Sequence, residues 1–233
     1  MKQYFSEHYV FHFQENSLAE RDISEIASHQ EACYRYICDA LNVEPNYKIN
    51  YYLCETPEEV GHYYGDDEPG NGFARIPDKV YCVYNKEMKC IGFHEDAHLI
   101  SELIGHPISP AIREGIAMYF DKRWWGIHNI HWVEYFLKAG KYLPIEKLIN
   151  RDFFFEQDCR ITYPIVGAFT EWLITSYGQE KYQEFYKFED SVEGLKTVYG
   201  TAPEEMNLRF KNYVSLFKID EELFKRIDTL FNE

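Results

Sequence analysis

Three observations predict an α+β fold, in which a mixed N-terminal part of helix and sheet precedes an all-helical C-terminal part. Residues 9–13 place Tyr9, Phe11 and Phe13 alternately with Val10 and His12, the period of a short strand. Residues 47–53 and 80–84 are rich in β-branched and aromatic residues, which favours two further strands. From residue 86 onward the apolar residues recur at helical spacing.

The first helix and the loop that follows the second strand have local signals. Ser17 stands three residues before Glu20, the spacing of a capping box, and the apolar face that follows predicts a helix to about Asn42. Pro45 ends this helix because proline cannot continue it. Residues 56–78 carry several glycines and Pro69 and are expected to form a loop.

In the C-terminal part, Gly105 is expected to cap the first helix, and Ser109 with Pro110 to begin the next, which runs to about Trp125. Further helices are expected near residues 132–139, 164–177, 179–188, 204–217 and 221–231. No repeat or linker divides the chain, so residues 1–233 are predicted to form one catalytic unit. Its mixed part covers about residues 1–85 and its helical part about residues 86–233.

The charge balance excludes two classes of partner. Asp and Glu number 39 against 24 Lys and Arg, a net charge of −15, which would repel nucleic acid and anionic membranes. No apolar run approaches the about 20 residues of a membrane helix, and no secretory signal is visible. The 6 cysteines are scattered without a CxxC pair and are expected to be thiols. These features predict a cytoplasmic protein that binds neither nucleic acid nor membranes.

Residues 94–98, His-Glu-Asp-Ala-His, form an HExxH motif in a segment with helical character. Histidines at positions i and i+4 lie on one face of a helix, so both rings can reach one metal ion. Neutral imidazole suits Zn²⁺, which prefers tetrahedral nitrogen and oxygen ligands. Glu95 follows His94 directly and would stand beside the metal, where a general base can take a proton from water.

A catalytic zinc site needs a third protein ligand. Glu102 lies a further helical turn beyond His98, where it either contacts His98 or faces solvent, and His106 is expected in a turn. Glu114 is the better candidate, because the chain turns near Gly105 and returns about 6 Å along the next helix toward the metal. Gly115 is expected to let this helix pack closely on the HExxH helix.

At these residues the chain resembles a known family. His-Glu-Asp-Ala-His followed by Arg-Glu-Gly-Ile-Ala-Met-Tyr-Phe is similar to the HExxH…EG(L/I)A pattern of gluzincin zinc metallopeptidases, particularly bacterial peptidase-MA-like domains. Residues 72–74, 80–84, 142–149 and 162–178 resemble further family segments, and the similarity spans about residues 5–215. The resemblance implies a zincin-like fold and zinc-dependent hydrolysis of a peptide or protein substrate.

Residue by residue, the resemblance implies that His94, His98 and Glu114 bind Zn²⁺ and that Glu95 is the general base. Tyr163 occupies the position of a family-like tyrosine and would donate a hydrogen bond to the developing oxyanion; a packing role in the core is the alternative. The chain lacks a GxMEN-type segment, so an endopeptidase is favoured over an aminopeptidase. The short spacing between His98 and Glu114 sets it apart from thermolysin-like and aminopeptidase N-like enzymes.

Several alternatives remain open on the sequence. The chain could be a zincin-fold module that binds metal or peptide without turnover, or Glu114 could form a structural ion pair with Arg113 or Arg123. The strand at 80–84 could pair with an extended substrate or be an ordinary member of the sheet. An amphipathic surface or interdomain packing is the preferred interpretation of His128 and His131, and isolated histidines such as His8 are expected to be structural or solvated.

Overall fold

Five strands form the main sheet of the computed structural model, which describes residues 1–233, and helices make up most of the remainder. The strands are β1 (Lys2–Phe5), β2 (Tyr9–Phe13), β3 (Ile49–Cys54), β4 (Gly72–Arg75) and β5 (Lys79–Val83), with a separate hairpin of β6 (Arg123–Trp124) and β7 (Ile127–His128). The helices are α1 (Leu18–Leu41), α2 (Pro57–Tyr64), α3 (His94–Ser101), α4 (Pro110–Asp121), α5 (Asn129–Ala139), α6 (Ile145–Leu148), α7 (Arg151–Phe155), α8 (Cys159–Tyr177), α9 (Gln179–Tyr186), α10 (Ser191–Tyr199), α11 (Pro203–Val214) and α12 (Glu221–Asn232). The predicted α+β fold with a helical C-terminal part is confirmed.

The chain divides into two compact units, Met1–Leu103 and Ile104–Glu233. The sheet belongs to the first unit and has the strand order β1-β2-β3-β5-β4. Its central strands β2, β3 and β5 run parallel, whereas β1 and β4 pair antiparallel at the two edges. None of the helices in either unit is both long enough and apolar enough to cross a membrane.

One face of the sheet forms the buried core of the first unit. The alternation in β2 directs Tyr9 and Phe11 to this face, and Tyr51 of β3 packs against both rings. Helix α1 begins as predicted, because the Ser17 side chain accepts a hydrogen bond from the backbone N–H of Glu20. Burial of these aromatic side chains supplies the main stabilising contribution of this layer.

The expected loop at residues 56–78 contains two elements that the sequence pattern missed. Helix α2 begins at a Thr56 cap that accepts a hydrogen bond from the Glu59 backbone, and β4 pairs along β5. Both elements are short, so neither develops a clear hydrophobic period. The hydrogen-bond partners of β4 belong to β5, and the local sequence of β4 does not encode this pairing.

The HExxH helix begins later and ends earlier than expected. Residues 86–93 are not helical, because the chain bridges Tyr84 to Lys89 and the Cys90 N–H donates to the carbonyl of Val83. The helix ends at Ser101, four residues before Gly105. A Cβ on Gly105 would lie 2.7 Å from the Tyr186 carbonyl oxygen, so the glycine serves a close backbone approach to the end of α9.

Helices α4 and α8 form the central pair of the second unit. A Cβ on Gly115 would lie 2.4 Å from the hydroxyl oxygen of Thr170 and 3.1 Å from the carbonyl oxygen of Val166. Gly115 therefore allows α4 to approach α8, and the expectation that it serves packing on the HExxH helix is wrong. Across the same pair, a Cβ on Gly167 would lie 2.6 Å from the Cβ of Met118.

Other helix boundaries differ from the predicted ones for local reasons. Helix α4 ends at Asp121 instead of continuing to Trp125, because Lys122 adopts a left-handed conformation and the β6–β7 hairpin follows. Helix α8 begins at Cys159, five residues before Pro164, because the Asp158 side chain caps it. The short helices α6, α7 and α10 were not predicted.

Candidate metal centre

Helix α3 carries its two histidines on one side and its buried residues on the other. His94 and His98 are half-buried, and their ring centroids lie 5.0 Å apart with the ring planes at 82°. The residues on the other side of the helix are buried: Asp96, Ala97, Leu99, Ile100 and Ser101. The one-turn spacing of the two histidines thus places both rings on the same accessible side of α3.

Glu114 is the fifth residue of α4 and is half-buried. One ligand atom from each of His94, His98 and Glu114 lies within 4.8 Å of the other two. Ligands of one tetrahedral zinc ion stand about 3.4 Å apart, so small side-chain rotations would bring these three donors to coordination distance. Two imidazoles and one carboxylate are a donor set that suits Zn²⁺.

The carboxylate of Glu95 is adjacent to the edge strand β4. A Cβ on Gly72 would lie 3.3 Å from Glu95 Oε1 and 3.2 Å from the carbonyl oxygen of Tyr81. A side chain at position 72 would therefore crowd both the carboxylate and the neighbouring strand. The glycine leaves room for Glu95 beside the sheet edge.

Asp96, the third residue of the motif, anchors α3 to the core. Its Oδ2 accepts hydrogen bonds from the Tyr9 hydroxyl at 2.5 Å and from Gln30 Nε2 at 2.9 Å. The Gln30 side chain also donates to the carbonyl of Gly92, just before the helix. Complete burial raises the pKa of the Asp96 carboxyl well above its usual range, although both hydrogen bonds favour the charged form. Sequence reasoning missed this residue; its signal was a carboxylate on the apolar side of a helix.

Tyr163 lies on α8 and is half-buried. Its ring makes an edge contact with Trp124 at a centroid distance of 5.7 Å and stacks on Phe154 at 6.4 Å. Aromatic neighbours of this kind orient the phenol ring. Its role as an oxyanion donor stays a prediction.

Strand β5 is an interior member of the sheet. It pairs with β3 on one side and with β4 on the other, so its backbone groups are already used. The suggestion that the strand at 80–84 receives an extended substrate is therefore wrong. The neighbouring edge is β4, the strand that carries Gly72.

A second group of potential ligand atoms comprises Glu7, His8 and Glu31. Glu31 accepts hydrogen bonds from the Ser6 hydroxyl, the His8 backbone and the His8 ring, which lies 2.6 Å from Oε2. Arg35 pairs with Glu7 at 2.9 Å and lies 3.9 Å from Glu31. The Arg35 guanidinium already supplies a positive charge beside these carboxylates, and His8 does not stand alone as the sequence suggested.

His128 and His131 do not assemble a metal site. Their ring centroids are 6.2 Å apart, and His128 Nε2 lies 3.5 Å from Glu171, whose other oxygen pairs with Lys122. Burial lowers the pKa of His131, and the neighbouring His128 lowers it further.

No protein family, curated protein or solved structure with which the chain was compared matches it.

Proposed function

We propose that this protein is a zinc-dependent peptidase of the gluzincin type. The observation that carries the proposal is the group of His94, His98 and Glu114, whose ligand atoms lie within 4.8 Å of one another. A bound zinc ion would lower the pKa of a water molecule and polarise a carbonyl group. Glu95 follows His94 in the chain and its carboxylate lies next to β4, and it would supply the general base that hydrolysis needs.

Each residue of the site would have a distinct role in metal binding or hydrolysis. His94, His98 and Glu114 would hold the ion, while the buried Asp96 fixes the helix that carries both histidines. Glu95 would accept a proton from the attacking water and then deliver it to the leaving amine. Tyr163 would donate a hydrogen bond to the carbonyl oxygen as negative charge develops on it.

An extended peptide is the substrate form that the sheet favours. Strand β4 is an edge strand of four residues, and its Gly72 lies against the Glu95 carboxylate. Addition of a peptide strand to this edge would place a peptide carbonyl near the general base. The proposal favours an endopeptidase, and it assigns the enzyme to the cytoplasm because no disulfide joins its cysteines.

Metal content tests the ligands directly. We expect about one zinc per chain by mass spectrometry, as in a single catalytic site, and loss of this zinc in His98→Ala and Glu114→Ala. His62→Ala is a matched control because the His62 side chain is 80% exposed, and Glu184→Ala replaces an exposed glutamate of α9. A zinc-free protein, or a Glu114→Ala variant with unaltered zinc, would contradict the proposed ligand set.

Turnover separates an enzyme from a binding module. Glu95→Gln keeps the size of the side chain but removes its basicity, so hydrolysis of a peptide library should be abolished while zinc content is unchanged. Hydrolysis at the original rate in this variant would exclude Glu95 as the base. A wild-type protein that binds zinc and peptides without cleaving any of them would support the binding-module alternative.

A further inference from the structure

A stack of aromatic rings crosses the main sheet on the face that carries α2. One ring comes from each of four neighbouring strands, β2, β3, β5 and β4: His12, Tyr52, Tyr81 and Phe73. These residues are direct partners in the register of the sheet. Consecutive ring centroids lie 4.3, 4.5 and 4.8 Å apart, and the planes of consecutive rings are within 14° of parallel. The distances match the strand spacing of about 4.7–4.9 Å, so each strand adds one ring to the stack.

The stack is buried at its centre and ends at the edge strand β4. His12 is 9% exposed and Tyr81 is 5% exposed, whereas Phe73 is half-buried. Helix α2 covers the centre, where the ring centroid of Tyr63 lies 4.8 Å from that of Tyr81. No strand of the chain pairs with the outer edge of β4. The stack therefore ends at Phe73 because the sheet ends there.

The backbone of β4 can extend the sheet by one strand. The Val83 N–H donates a hydrogen bond to the carbonyl of Asn71, which immediately precedes β4. Because hydrogen-bonded and non-hydrogen-bonded pairs alternate in an antiparallel ladder, the backbone groups of Gly72 and Ala74 face the outer edge. A strand bonded to these groups would place one side chain directly opposite Phe73, on the same face of the sheet.

We propose that the outer end of this stack is a specificity site, which selects an aromatic residue of the peptide substrate. The inference rests on the proposed function, in which a peptide strand adds to β4. A phenylalanine, tyrosine or tryptophan opposite Phe73 would continue the stack at the spacing of 4.8 Å that separates Phe73 from Tyr81. Gly72 is the neighbour of Phe73 and lies against the Glu95 carboxylate, so the selected residue would stand close to the bond to be cleaved.

Two neighbours of Phe73 restrict the choice of residue. Tyr64 is 60% exposed, and its ring contacts that of Phe73 edge-on with the centroids 5.1 Å apart. It offers a second aromatic surface to a ring that lies beside Phe73. The Arg75 guanidinium lies 5.4 Å from the ring centroid of Phe73, so its positive charge disfavours lysine or arginine at this position of the peptide.

Cleavage of matched peptides tests this selection on the zinc-loaded wild-type chain. The probes are alanine-based peptides with blocked ends, in which phenylalanine or cyclohexylalanine occupies each position in turn. Cyclohexylalanine has nearly the size of phenylalanine but no aromatic ring. At one position near the cleaved bond, we expect phenylalanine to raise kcat/KM by about tenfold over alanine and by about threefold over cyclohexylalanine. Equal values for phenylalanine and cyclohexylalanine at every position would overturn the proposal.

Replacement of Phe73 locates the site. Phe73→Leu keeps an apolar side chain but removes the last ring of the stack, so the preference for phenylalanine over cyclohexylalanine should disappear. Phe5→Leu is the matched control, because Phe5 is a 64% exposed phenylalanine on the opposite edge strand β1, and its replacement should leave the preference unchanged. Thermal melts verify folding, and the two peptides compared on the wild-type chain decide the question if Phe73→Leu does not fold. An unchanged preference in a folded Phe73→Leu variant would refute a site at this edge.

Binding separates failure of this inference from failure of the proposed function. Cleavage without an aromatic preference overturns the inference alone. If the wild-type chain cleaves none of the peptides, the proposed function fails, and isothermal titration calorimetry with the same peptides decides the inference. About tenfold tighter binding of a phenylalanine peptide than of the alanine peptide, weakened in Phe73→Leu, would support the site, whereas equal binding or none would overturn it. A wild-type dimer that dissociates in Phe73→Leu, measured by size-exclusion chromatography, would place a second copy on this edge and also overturn the proposal.

Discussion

Replacement of Tyr9 by phenylalanine tests how the core holds the HExxH helix. Tyr9 is 0% exposed, and its hydroxyl lies 2.5 Å from Asp96 Oδ2 and 3.1 Å from the Gln30 carbonyl oxygen. Burial raises the pKa of the phenol well above its ordinary value, and the Asp96 carboxylate raises it further, so the hydroxyl stays a donor. Tyr9→Phe removes this donor and leaves Gln30 to satisfy the carboxyl group.

The expected loss follows from the bonds involved. A net hydrogen bond contributes about 1 kcal/mol, and a buried acceptor left short of a donor costs about 1–3 kcal/mol. The free energy of unfolding should therefore fall by about 2 kcal/mol. At about 2–4 °C per kcal/mol for a chain of this size, Tm should fall by about 4–8 °C.

Urea denaturation followed by circular dichroism measures this loss. Tyr51→Phe is the matched control, because Tyr51 is also buried on the same sheet face but its hydroxyl bonds to the thiol of Cys82, which is a weak hydrogen-bond partner. Hydrogen exchange at α3 should also accelerate in Tyr9→Phe, because the helix loses an anchor at Asp96. Equal stabilities for the two variants, with α3 protected as in the wild type, would refute the anchoring role.

Three further predictions concern the site and the packing. Tyr163→Phe should lower kcat by about 10²–10³ with little change in KM, as for loss of one oxyanion donor; an unchanged kcat would assign the ring to packing alone. Gly115→Ala should lower stability in a thermal melt, because the new methyl group would lie 2.4 Å from Thr170 Oγ1. The resulting overpacking costs about 1–3 kcal/mol, which exceeds the helix-propensity gain of about 1 kcal/mol. A variant as stable as the wild type would show that α4 and α8 shift enough to accommodate the added methyl group. Burial raises the pKa of Glu31, but hydrogen bonds that include those from His8 outweigh it and leave the pKa below its ordinary value of 4.5. A carboxyl group whose pKa is lowered on folding stabilises the folded state above its unfolded pKa, and that contribution is lost as pH falls through its folded pKa. Glu31→Gln should therefore cost about 1–2 kcal/mol of stability at pH 7, and this cost should shrink below about pH 4.5. A cost that does not change with pH would contradict the assignment.

The elements that were predicted well are those with a strong local period. Strand β2 and helix α1 lie where alternation and a capping box placed them. The elements that were missed, such as α2 and β4, are short and acquire their order from neighbours in the sheet. Gly105 and Gly115 were recognised as special positions, but Gly105 was assigned to a helix cap and Gly115 to packing on the wrong helix, because the residues that require them are distant in sequence.

In the candidate site, too, some residues could be predicted from local sequence and others only from tertiary structure. His94, Glu95 and His98 were evident from the sequence, because five consecutive residues on a helix determine their own relative geometry. Glu114 was inferred from the path of a short connection, which constrains position less tightly. The anchoring of Asp96 by Tyr9 and the interior position of β5 depend on residues far apart in the chain. Only tertiary packing brings such residues together, because local periodicity carries no information about which distant surfaces will meet.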